Sequence, residues 1–327
     1  MVDKNVVLGF TLCKKQDLNC RFGDNSIQGE ERMGDQYDEV KVAAEQLKRE
    51  IFPYDPKIGF VLGSGLGGWA DDLEGPIMVP YDSLPGMVAG LTKGHKSRFV
   101  AGKCAGLDVL AMQGRVHGYE GRSMEEIVMG VRTMVMAGCG VVVVTAAAGG
   151  SNCRMVPGQI YLVRDHYNSS GINPLVGDND DRLGPRFPDM TDAYDPELRE
   201  LAKQVAEGIK VDEDGDGQAV MLKLPVDEYW MNLGPTYETR AEVRVAANLG
   251  FGLMGMSMVP EVIAARHMNA RVLGLSLCTN PGAGVDPGTP KLDHDEVKAA
   301  GGEAKGRFGA LLTGFTQALG KQEGWIE

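Results

Sequence analysis

The sequence predicts an α/β fold, because two buried strands each end in a loop of small residues. The apolar run at residues 58–62 stops at four glycines within residues 63–68, and the run at residues 141–144 is followed by Thr-Ala-Ala-Ala-Gly-Gly. Apolar runs of this length, bounded by glycines, are typical of buried strands. Two such strand ends are what a ligand crevice across an open α/β sheet requires.

Composition restricts the class of protein. The chain has 327 residues, 43% of them hydrophobic, so it can bury a large core. Its net charge of -12 gives no support to binding of nucleic acid or of an anionic membrane surface. The six cysteines have no C-x-x-C spacing and indicate reduced thiols in the cytosol. No apolar run reaches transmembrane length, and residues 6–12 are too short for a signal peptide.

The remaining elements follow from local periodicity. Apolar residues at helical spacing, with Pro53 as a stop, predict a helix at residues 37–52 that leads into the first strand. We expect one domain at residues 37–327, preceded by a partly disordered extension at residues 1–36. Residues 173–194 are expected to form a long loop. The same criteria predict helices at residues 124–136, 196–209, 240–249, 260–268 and 294–319, and strands at residues 107–112, 159–163, 253–257 and 271–277.

The glycine-rich stretch at residues 63–68 is a candidate phosphate cradle. Glycines leave no Cβ between backbone and ligand, so successive N–H groups can turn toward an anion, and Ser64 adds a hydroxyl. The same stretch spells G-x-G-x-x-G, which would indicate a dinucleotide site. The following residues disfavour that site, because residues 69–73 give barely one helical turn before Gly75 and Pro76. An ordinary turn at a strand end remains the alternative.

Polar residues cluster after the strand at residues 107–112. Alternation along an extended segment places Arg115, His117 and Tyr119 on one face. Arginine donates two hydrogen bonds to phosphate oxygens, and histidine and tyrosine add donors, so the cluster indicates a ligand site. The basic loop at residues 90–97 is suited to a lid that brings His95 toward an anion, although a solvated loop fits the sequence equally well.

Two residues near helix starts have alternative explanations. Ser257 precedes a predicted helix and is placed to share an anion with the helix amides, whereas a hydrolase nucleophile would need the second glycine of G-x-S-x-G. Thr236 or Thr239 is expected to cap the helix at residues 240–249, with Glu238 as a first-turn acid.

Metal sites find little support in the sequence. Asp212, Asp214, Asp216 and Gly217 match the first positions of a calcium loop. Lys223 stands where a bidentate glutamate belongs, so a solvated turn is expected there. The five histidines show no metal-ligand spacing, and we expect no metal.

Together these segments resemble one family, the trimeric purine nucleoside phosphorylases. Each segment is short, but eight of them occur in the family's order over residues 37–319, which makes the resemblance specific. It implies the nucleoside phosphorylase fold, an α/β single domain with a central mixed, partly parallel β-sheet flanked by helices. The matching segments are GSGLG at 63–67, MQGRVHGYEG at 112–121, AAGG at 147–150, NPL at 173–175, RFP at 186–188, GPTYET at 234–239, GMSMVPE at 255–261 and TN at 279–280.

The resemblance implies phosphorolysis in purine salvage: inorganic phosphate attacks C1′ of inosine, guanosine or their deoxy forms, giving the free base and (deoxy)ribose 1-phosphate. The implied phosphate ligands are Ser64, His95, Arg115, His117, Ala147 through its backbone, and Ser257. The implied ribose contacts are Tyr119, Tyr229, Met256 and His294, the implied base contacts are Tyr237, Glu238 and Asn280, and further substrate contacts are Gly255 and Thr279.

The resemblance also assigns catalysis and assembly. Asn280 at purine N7 and Glu238 at N1–H would stabilise charge moving into the base, and His117 is the third implied catalytic residue. A homotrimer is implied in which Phe187 reaches the neighbouring subunit's site. No cofactor is implied, since phosphate is a co-substrate. Ala146 stands where the family usually has Asn, so a polar contact near Asn280 is missing.

Two other classes remain open. A methylthioadenosine phosphorylase shares the fold and the phosphate site, but its family pattern has Asp at the position of Asn280. A non-catalytic nucleoside-binding protein would need the base pocket without the combination of Ser64, Arg115, His117 and Ser257. Phosphate-dependent release of hypoxanthine from inosine separates binding from catalysis.

Overall fold

A nine-stranded mixed sheet organises the part of the chain that the computed structural model describes, residues 36–92, 94–212, 219–286, 294–322 and 324–325. The predicted extension lies outside these residues except for Gln36. The strands are β1 Ile58–Leu62, β2 Glu74–Pro80, β3 Arg98–Cys104, β4 Leu107–Gln113, β5 Val141–Gly150, β6 Ile160–Asn168, β7 Lys210–Asp212, β8 Ala219–Met221, β9 Val226–Met231, β10 Leu253–Gly255 and β11 Arg271–Pro281. The helices are α1 Gln36–Glu50, α2 Met124–Met136, α3 Pro196–Glu207, α4 Arg240–Leu249, α5 Val259–His267 and α6 His294–Leu319.

The large sheet curls so that part of it closes on itself. The strand order is β10-β9-β6-β11-β5-β1-β4-β3-β2, and β10 also pairs with β5. Strands β5, β11, β6, β9 and β10 therefore form a small barrel-like ring, and β7 pairs only with β8. Strands β1, β5 and β11 run parallel in matched register, so their carboxyl ends meet at one edge. The expectation of a mixed, partly parallel sheet is confirmed.

Helices cover both faces of the sheet. Helices α1, α2 and α5 pack on one face, and α3 and α6 pack on the other. The alternation along β5 shows the two faces directly, because Val142 and Val144 join the first layer while Val141 and Val143 join the second. A strand covered on both sides needs a continuous apolar run, which is the signal that predicted it.

Most predicted elements are present with shifted ends, but several strands were not predicted and two predictions are wrong. Strands β2 and β3 were not predicted, because glycines and prolines interrupt their apolar patterns. Residues 145–150 are not a loop: they continue β5, and pairing with β11 and β10 overrides the low strand propensity of alanine and glycine. The extended segment that was predicted to place Arg115, His117 and Tyr119 on one face is also wrong. The chain turns at Gly114, whose φ is 113°, and Gly118–Glu120 is a 3₁₀ turn.

Several local predictions are confirmed. Only a short 3₁₀ helix, Gly67–Asp72, follows the glycine stretch, and β2 then pairs antiparallel with β3, which excludes a dinucleotide-binding βαβ unit. Thr239 caps α4 by accepting the N–H of Glu242 at 3.3 Å. Residues 169–195 form neither helix nor strand. The turn at 213–218, with most of the calcium-like motif, lies outside the described residues.

None of the described helices combines the length and the apolar character that a membrane span needs.

Asp195 joins helix α3 to strand β11. As the N-cap of α3, its carboxylate accepts the N–H groups of Glu197 at 2.9 Å and Leu198 at 3.0 Å. Arg271, the first residue of β11, donates to both carboxylate oxygens at 2.7 and 3.0 Å. Burial raises the pKa of Asp195, but these hydrogen bonds outweigh burial and hold the pKa below its usual value.

We expect Asp195→Asn to lower the free energy of unfolding by about 2 kcal/mol at pH 7, because a cap and a charged hydrogen bond are both weakened. A lowered folded-state pKa means that the stabilisation is complete above the unfolded-state pKa of about 4 and is lost as the pH falls through the lower folded-state value. The difference from wild type in urea unfolding should therefore shrink between pH 7 and pH 3.

Glu197→Gln is the matched control. Glu197 also bonds Arg271, at 2.7 Å, but its side chain is 66% exposed, so its loss should cost less than about 0.5 kcal/mol. An Asp195→Asn effect of the same size at both pH values would show that the carboxylate charge is not what stabilises this junction.

Candidate active site

A cleft opens at the edge where the carboxyl ends of the parallel strands meet. The cleft is lined by Gly63, Ser64, His117, Tyr119, Ala147, Ala148, Gly149, Tyr237, Glu238, Met254, Gly255, Met256, Ser257, Thr279, Asn280, Gly282 and Val297.

Arg115 is a buried cation beneath the strand ends that border this cleft, and it is not part of the cleft lining. Its side chain is 1% exposed, and Nη2 donates to the carbonyl oxygens of Val61 at 3.2 Å and Thr145 at 2.5 Å. Nε lies 3.3 Å from Oε1 of Glu261, which is 2% exposed. Nη1 is buried without a hydrogen-bond partner among the described residues. Leaving a buried charged donor unbonded is costly, so this nitrogen indicates a place for an anion.

Ser64 and His95 stand beside this cation. The hydroxyl of Ser64 lies 3.2 Å from Nε2 of His95, and the backbone N–H of Arg115 donates to Nδ1 of His95 at 3.0 Å. Nδ1 also lies 3.1 Å from the Arg115 carbonyl, so the Arg115 backbone holds this nitrogen in either tautomer while Nε2 points at the serine. Burial, together with the nearby His117, lowers the pKa of His95 to about 4, so the ring is neutral at neutral pH.

Gly114 makes this approach of His95 possible. Its φ of 113° lies in a region that favours glycine, and a Cβ at this position would lie 2.7 Å from Cβ of His95. The turn that ends β4 and the contact between His95 and the Arg115 backbone therefore depend on the same glycine.

Glu120 forms hydrogen bonds with the loop that carries Leu91 and Thr92 and with the second histidine, His117. Its Oε1 accepts from Nδ1 of His117 at 2.9 Å and from the Thr92 hydroxyl at 3.1 Å, while Oε2 accepts the N–H of Leu91 at 2.5 Å. Burial raises the pKa of Glu120, but hydrogen bonds from His117 and Leu91 outweigh burial and lower it to about 2. Since Glu120 takes Nδ1–H, Nε2 of His117 is the nitrogen left for a ligand. The rings of His117 and Tyr119 stack with centroids 4.9 Å apart.

Ser257 lies between strand β10 and helix α5. Met258, the N-cap of α5, has a φ of 70°, so the chain turns sharply after Ser257. The Ser257 N–H lies 3.5 Å from the hydroxyl of Tyr229, which is fully buried. Burial raises the pKa of Tyr229 to about 12. A Cβ on Gly255 would lie 2.1 Å from the same hydroxyl, so only glycine fits between Tyr229 and the cleft.

The other end of the cleft carries an amide and a carboxylate. A shift in register at Cys278 and Asn280 interrupts the pairing of β11 with β5 beside Asn280. Oδ1 of Asn280 accepts from the Thr279 hydroxyl at 2.8 Å, and Nδ2 donates to the carbonyl of Pro281 at 3.0 Å. One Nδ2–H of Asn280 is thus left for a ligand. Glu238 accepts from Nδ2 of Asn232 at 2.7 Å, rather than capping α4.

The structure brings most of the predicted site residues together. Eleven of them line the cleft: Ser64, His117, Tyr119, Ala147, Tyr237, Glu238, Gly255, Met256, Ser257, Thr279 and Asn280. His95 and Arg115 bond directly to lining residues or to the strand ends beneath them, whereas Tyr229 lies behind the wall. The side chain of His294 is outside the described residues.

Phe187 and Ala146 lie away from the cleft. Phe187 is 88% exposed and lines a separate groove with Val176, Arg186, Pro188 and other residues, which we call the Phe187 groove. Ala146 is fully buried in the core, and the Asn280 amide is oriented by Thr279 and Pro281 instead.

Four residues of the site escaped sequence reasoning: Thr92, Glu120, Asn232 and Glu261. Glu261 did carry a signal, since it is a charged residue within the otherwise apolar stretch at 259–265. Thr92, Glu120 and Asn232 form hydrogen bonds with residues across a turn or far away in the sequence, and no local sequence pattern predicts such contacts. No group of three or more His, Cys, Asp or Glu residues suited to a metal occurs in the described ranges.

A family model, curated relatives and a solved structure all match this chain over most of its length. The family model of the Phosphorylase superfamily matches residues 57–317. Purine nucleoside phosphorylase 1 of Geobacillus stearothermophilus is 41% identical over 278 residues, covering 85% of this chain and 97% of the relative. Purine nucleoside phosphorylase of Rattus norvegicus is 37% identical, covering 88% and 97%. The crystal structure of Schistosoma mansoni purine nucleoside phosphorylase with inosine has a TM-score of 0.77 at 34% identity, covering 87% of this chain and 98% of that one.

Proposed function

We propose that this chain, which belongs to the phosphorylase superfamily and within it to the purine nucleoside phosphorylases, catalyses the phosphorolysis of purine nucleosides. Inorganic phosphate attacks C1′, the bond from C1′ to the purine nitrogen breaks, and the free base and (deoxy)ribose 1-phosphate leave. The observation that carries this proposal is the unbonded Nη1 of Arg115, buried beneath a cleft that presents Ser64, Asn280 and Glu238.

The anion end is proposed to hold phosphate. Arg115 supplies fixed positive charge, and Ser64, neutral His95 and Ser257 supply hydrogen-bond donors. The backbone of Ala147 borders the same cleft. His117 presents Nε2 because Glu120 holds its other nitrogen, so it can share a proton with phosphate or with a ribose hydroxyl.

The base end is proposed to stabilise the leaving group. As the bond to the base breaks, the ribosyl group gains positive charge and the purine gains negative charge. The free Nδ2–H of Asn280 can donate to N7, and Glu238 can accept from N1–H of hypoxanthine or guanine. Adenine presents a lone pair at N1, which a carboxylate repels, so 6-oxopurines are the proposed preferred bases.

The middle of the cleft is proposed to hold the sugar. Tyr119 and Met256 line this part, with Tyr237, Gly255 and Thr279 nearer the base. His294 at the start of α6 remains a proposed ribose contact. Tyr229 supports Ser257 and Gly255 from behind rather than contacting the sugar.

Asn280 separates this function from methylthioadenosine phosphorolysis. An Asp at this position could only accept hydrogen bonds and would suit the amino group of adenine, whereas the amide of Asn280 has a donor to spare. We propose no cofactor, because phosphate itself is the nucleophile and no electron transfer occurs. A cytoplasmic location is proposed from the cysteines, since Cys104, Cys139, Cys153 and Cys278 are all free thiols.

A nucleoside panel tests the function. Inosine and guanosine should release free base only when phosphate is present, and adenosine should react at least about tenfold more slowly in kcat/KM, because an unpaired buried polar group costs about 1–3 kcal/mol. Base release measured by chromatography, with and without phosphate, gives the result. Tight nucleoside binding without phosphate-dependent release would identify a binding protein instead.

Arg115→Ala should raise the KM for phosphate at least about tenfold while leaving the affinity for hypoxanthine nearly unchanged, because a hydrogen bond to a charged group is worth about 1.5–3 kcal/mol and acts on the anion end only. Steady-state kinetics and calorimetric binding of hypoxanthine measure the two ends separately. Arg164→Ala, which removes an arginine that is 59% exposed, is the control. Equal losses of phosphate and base affinity would mean that Arg115 is structural.

A homotrimer is proposed from the Phe187 groove, where Phe187 and Val176 are 88% and 80% exposed. Arg186 holds this loop by donating to the carbonyl of Leu175 at 3.0 Å, so the apolar side chains project from an ordered backbone. Phe187 is proposed to complete the neighbouring subunit's site.

Sedimentation should give a mass of about three times 35.1 kDa. Phe187→Ala should lower kcat/KM for inosine, whereas Leu249→Ala, which removes another exposed apolar side chain, should not. A fully active monomer at assay concentration would contradict the proposal.

A further inference from the structure

Asn232 stands behind the base end of the cleft and does not line it. It follows strand β9 directly, and its backbone N–H donates to the carbonyl of Gly255 at 2.8 Å, so its Cα is fixed against strand β10. Its side chain reaches the cleft only through Glu238, whose Oε1 accepts from Nδ2 at 2.7 Å.

The orientation of the Asn232 amide is set by its partners. The indole Nε1–H of Trp230 lies 2.9 Å from Oδ1 of Asn232, and the hydroxyl of Ser169 lies at the same distance. An indole N–H can only donate, so the atom facing it must be the amide oxygen. The amide nitrogen therefore faces Glu238, and it can only donate there.

Trp230 is itself held in place. Its ring lies 4.5 Å from that of Tyr167 and 5.3 Å from that of Phe251, measured between centroids. A side chain packed between two aromatic rings keeps its rotamer, so the donor that orients Asn232 is rigid. A chain of fixed contacts thus runs from an aromatic cluster through Asn232 to Glu238.

We propose that Asn232 is a positioning residue that sets the choice of purine base through Glu238. This inference rests on the proposed function. By occupying Oε1, the amide leaves Oε2 of Glu238 as the oxygen that meets the base. The cleft then favours bases with a hydrogen on N1 and disfavours adenine, whose N1 presents a lone pair to the carboxylate.

Asn232→Leu removes the amide while nearly keeping its size. Without its anchor, Glu238 samples other rotamers, so kcat/KM for inosine should fall about tenfold, the loss of one hydrogen bond to a charged group. The loss should appear mainly in KM, because the interaction is with the bound base. Adenosine turnover should change by less than about twofold, since adenine does not use this oxygen as a partner.

Asn232→Asp tests the same contact with the opposite sign. It places a second carboxylate 2.7 Å from the first, and two carboxylates this close share a proton. Trp230 still donates to Asp at position 232, which favours the proton on Glu238. That proton lies between the two carboxylates and neutralises Glu238 in part, so Oε2 becomes a weaker acceptor for N1–H and repels the N1 lone pair of adenine less. The ratio of kcat/KM for adenosine to that for inosine should therefore rise about fivefold, the difference between a charge-assisted and a neutral hydrogen bond.

Gln204 supplies matched controls. It donates from Nε2 to Glu200 at 3.4 Å on the exposed face of α3, so it is a second amide paired with a glutamate, far from the cleft. Gln204→Leu and Gln204→Glu should leave both nucleosides unaffected. Calorimetric binding of hypoxanthine and adenine to each variant gives a readout that does not depend on turnover.

The outcomes separate this inference from the function it rests on. If wild type releases no base from any purine nucleoside with phosphate, the proposed function fails. If wild type is active but Asn232→Leu and Asn232→Asp lower inosine and adenosine turnover by equal factors, or change neither, Asn232 does not set base choice. Unequal binding losses for hypoxanthine and adenine in the predicted directions support the proposal even where turnover is weak.

Discussion

The buried pair of Arg115 and Glu261 is the constraint on which this end of the cleft depends. Breaking such a pair by removing one partner costs about 3–5 kcal/mol, so each residue requires the other. The pair holds the guanidinium against the carbonyls of Val61 and Thr145, which belong to the neighbouring parallel strands β1 and β5. Nη1 and Nε of Arg115 still have no hydrogen-bond acceptor among the described residues, and the proposed anion site rests on this deficit.

Strand β5 gives the cleft its shape because its last six residues are small. It pairs with β1, β11 and β10, so its carboxyl end is enclosed by strands rather than covered by side chains. The backbone at Ala147 and Gly149 can then border the cleft directly. The closure of β10 onto β5 also carries Ser257 to the cleft, although Ser257 is about a hundred residues further along the chain.

Side chains at both ends of the cleft are oriented in the same way, by a hydrogen-bond partner behind them. A catalytic or binding group is held by a partner that can hydrogen-bond in only one sense, so its remaining atom has a defined role. Glu120 takes one nitrogen of His117, and Asn232 takes one oxygen of Glu238. Preorganisation of this kind removes the need to reorient dipoles as charge develops.

The sequence by itself determined the fold class, the main strands and most residues of the wall, because apolar runs, glycine stops and short motifs are local signals. It did not determine β2 and β3, the continuation of β5 to Gly150, or the inward turn of Arg115, since strand pairing and a single glycine dihedral override local preference. The positions of Asn232 and Glu120 beside the site were not predicted either, because they depend on contacts that form only on folding. Only the tertiary structure decided which atoms of the site make internal hydrogen bonds and which face the cleft, because those bonds join residues that are brought together by folding.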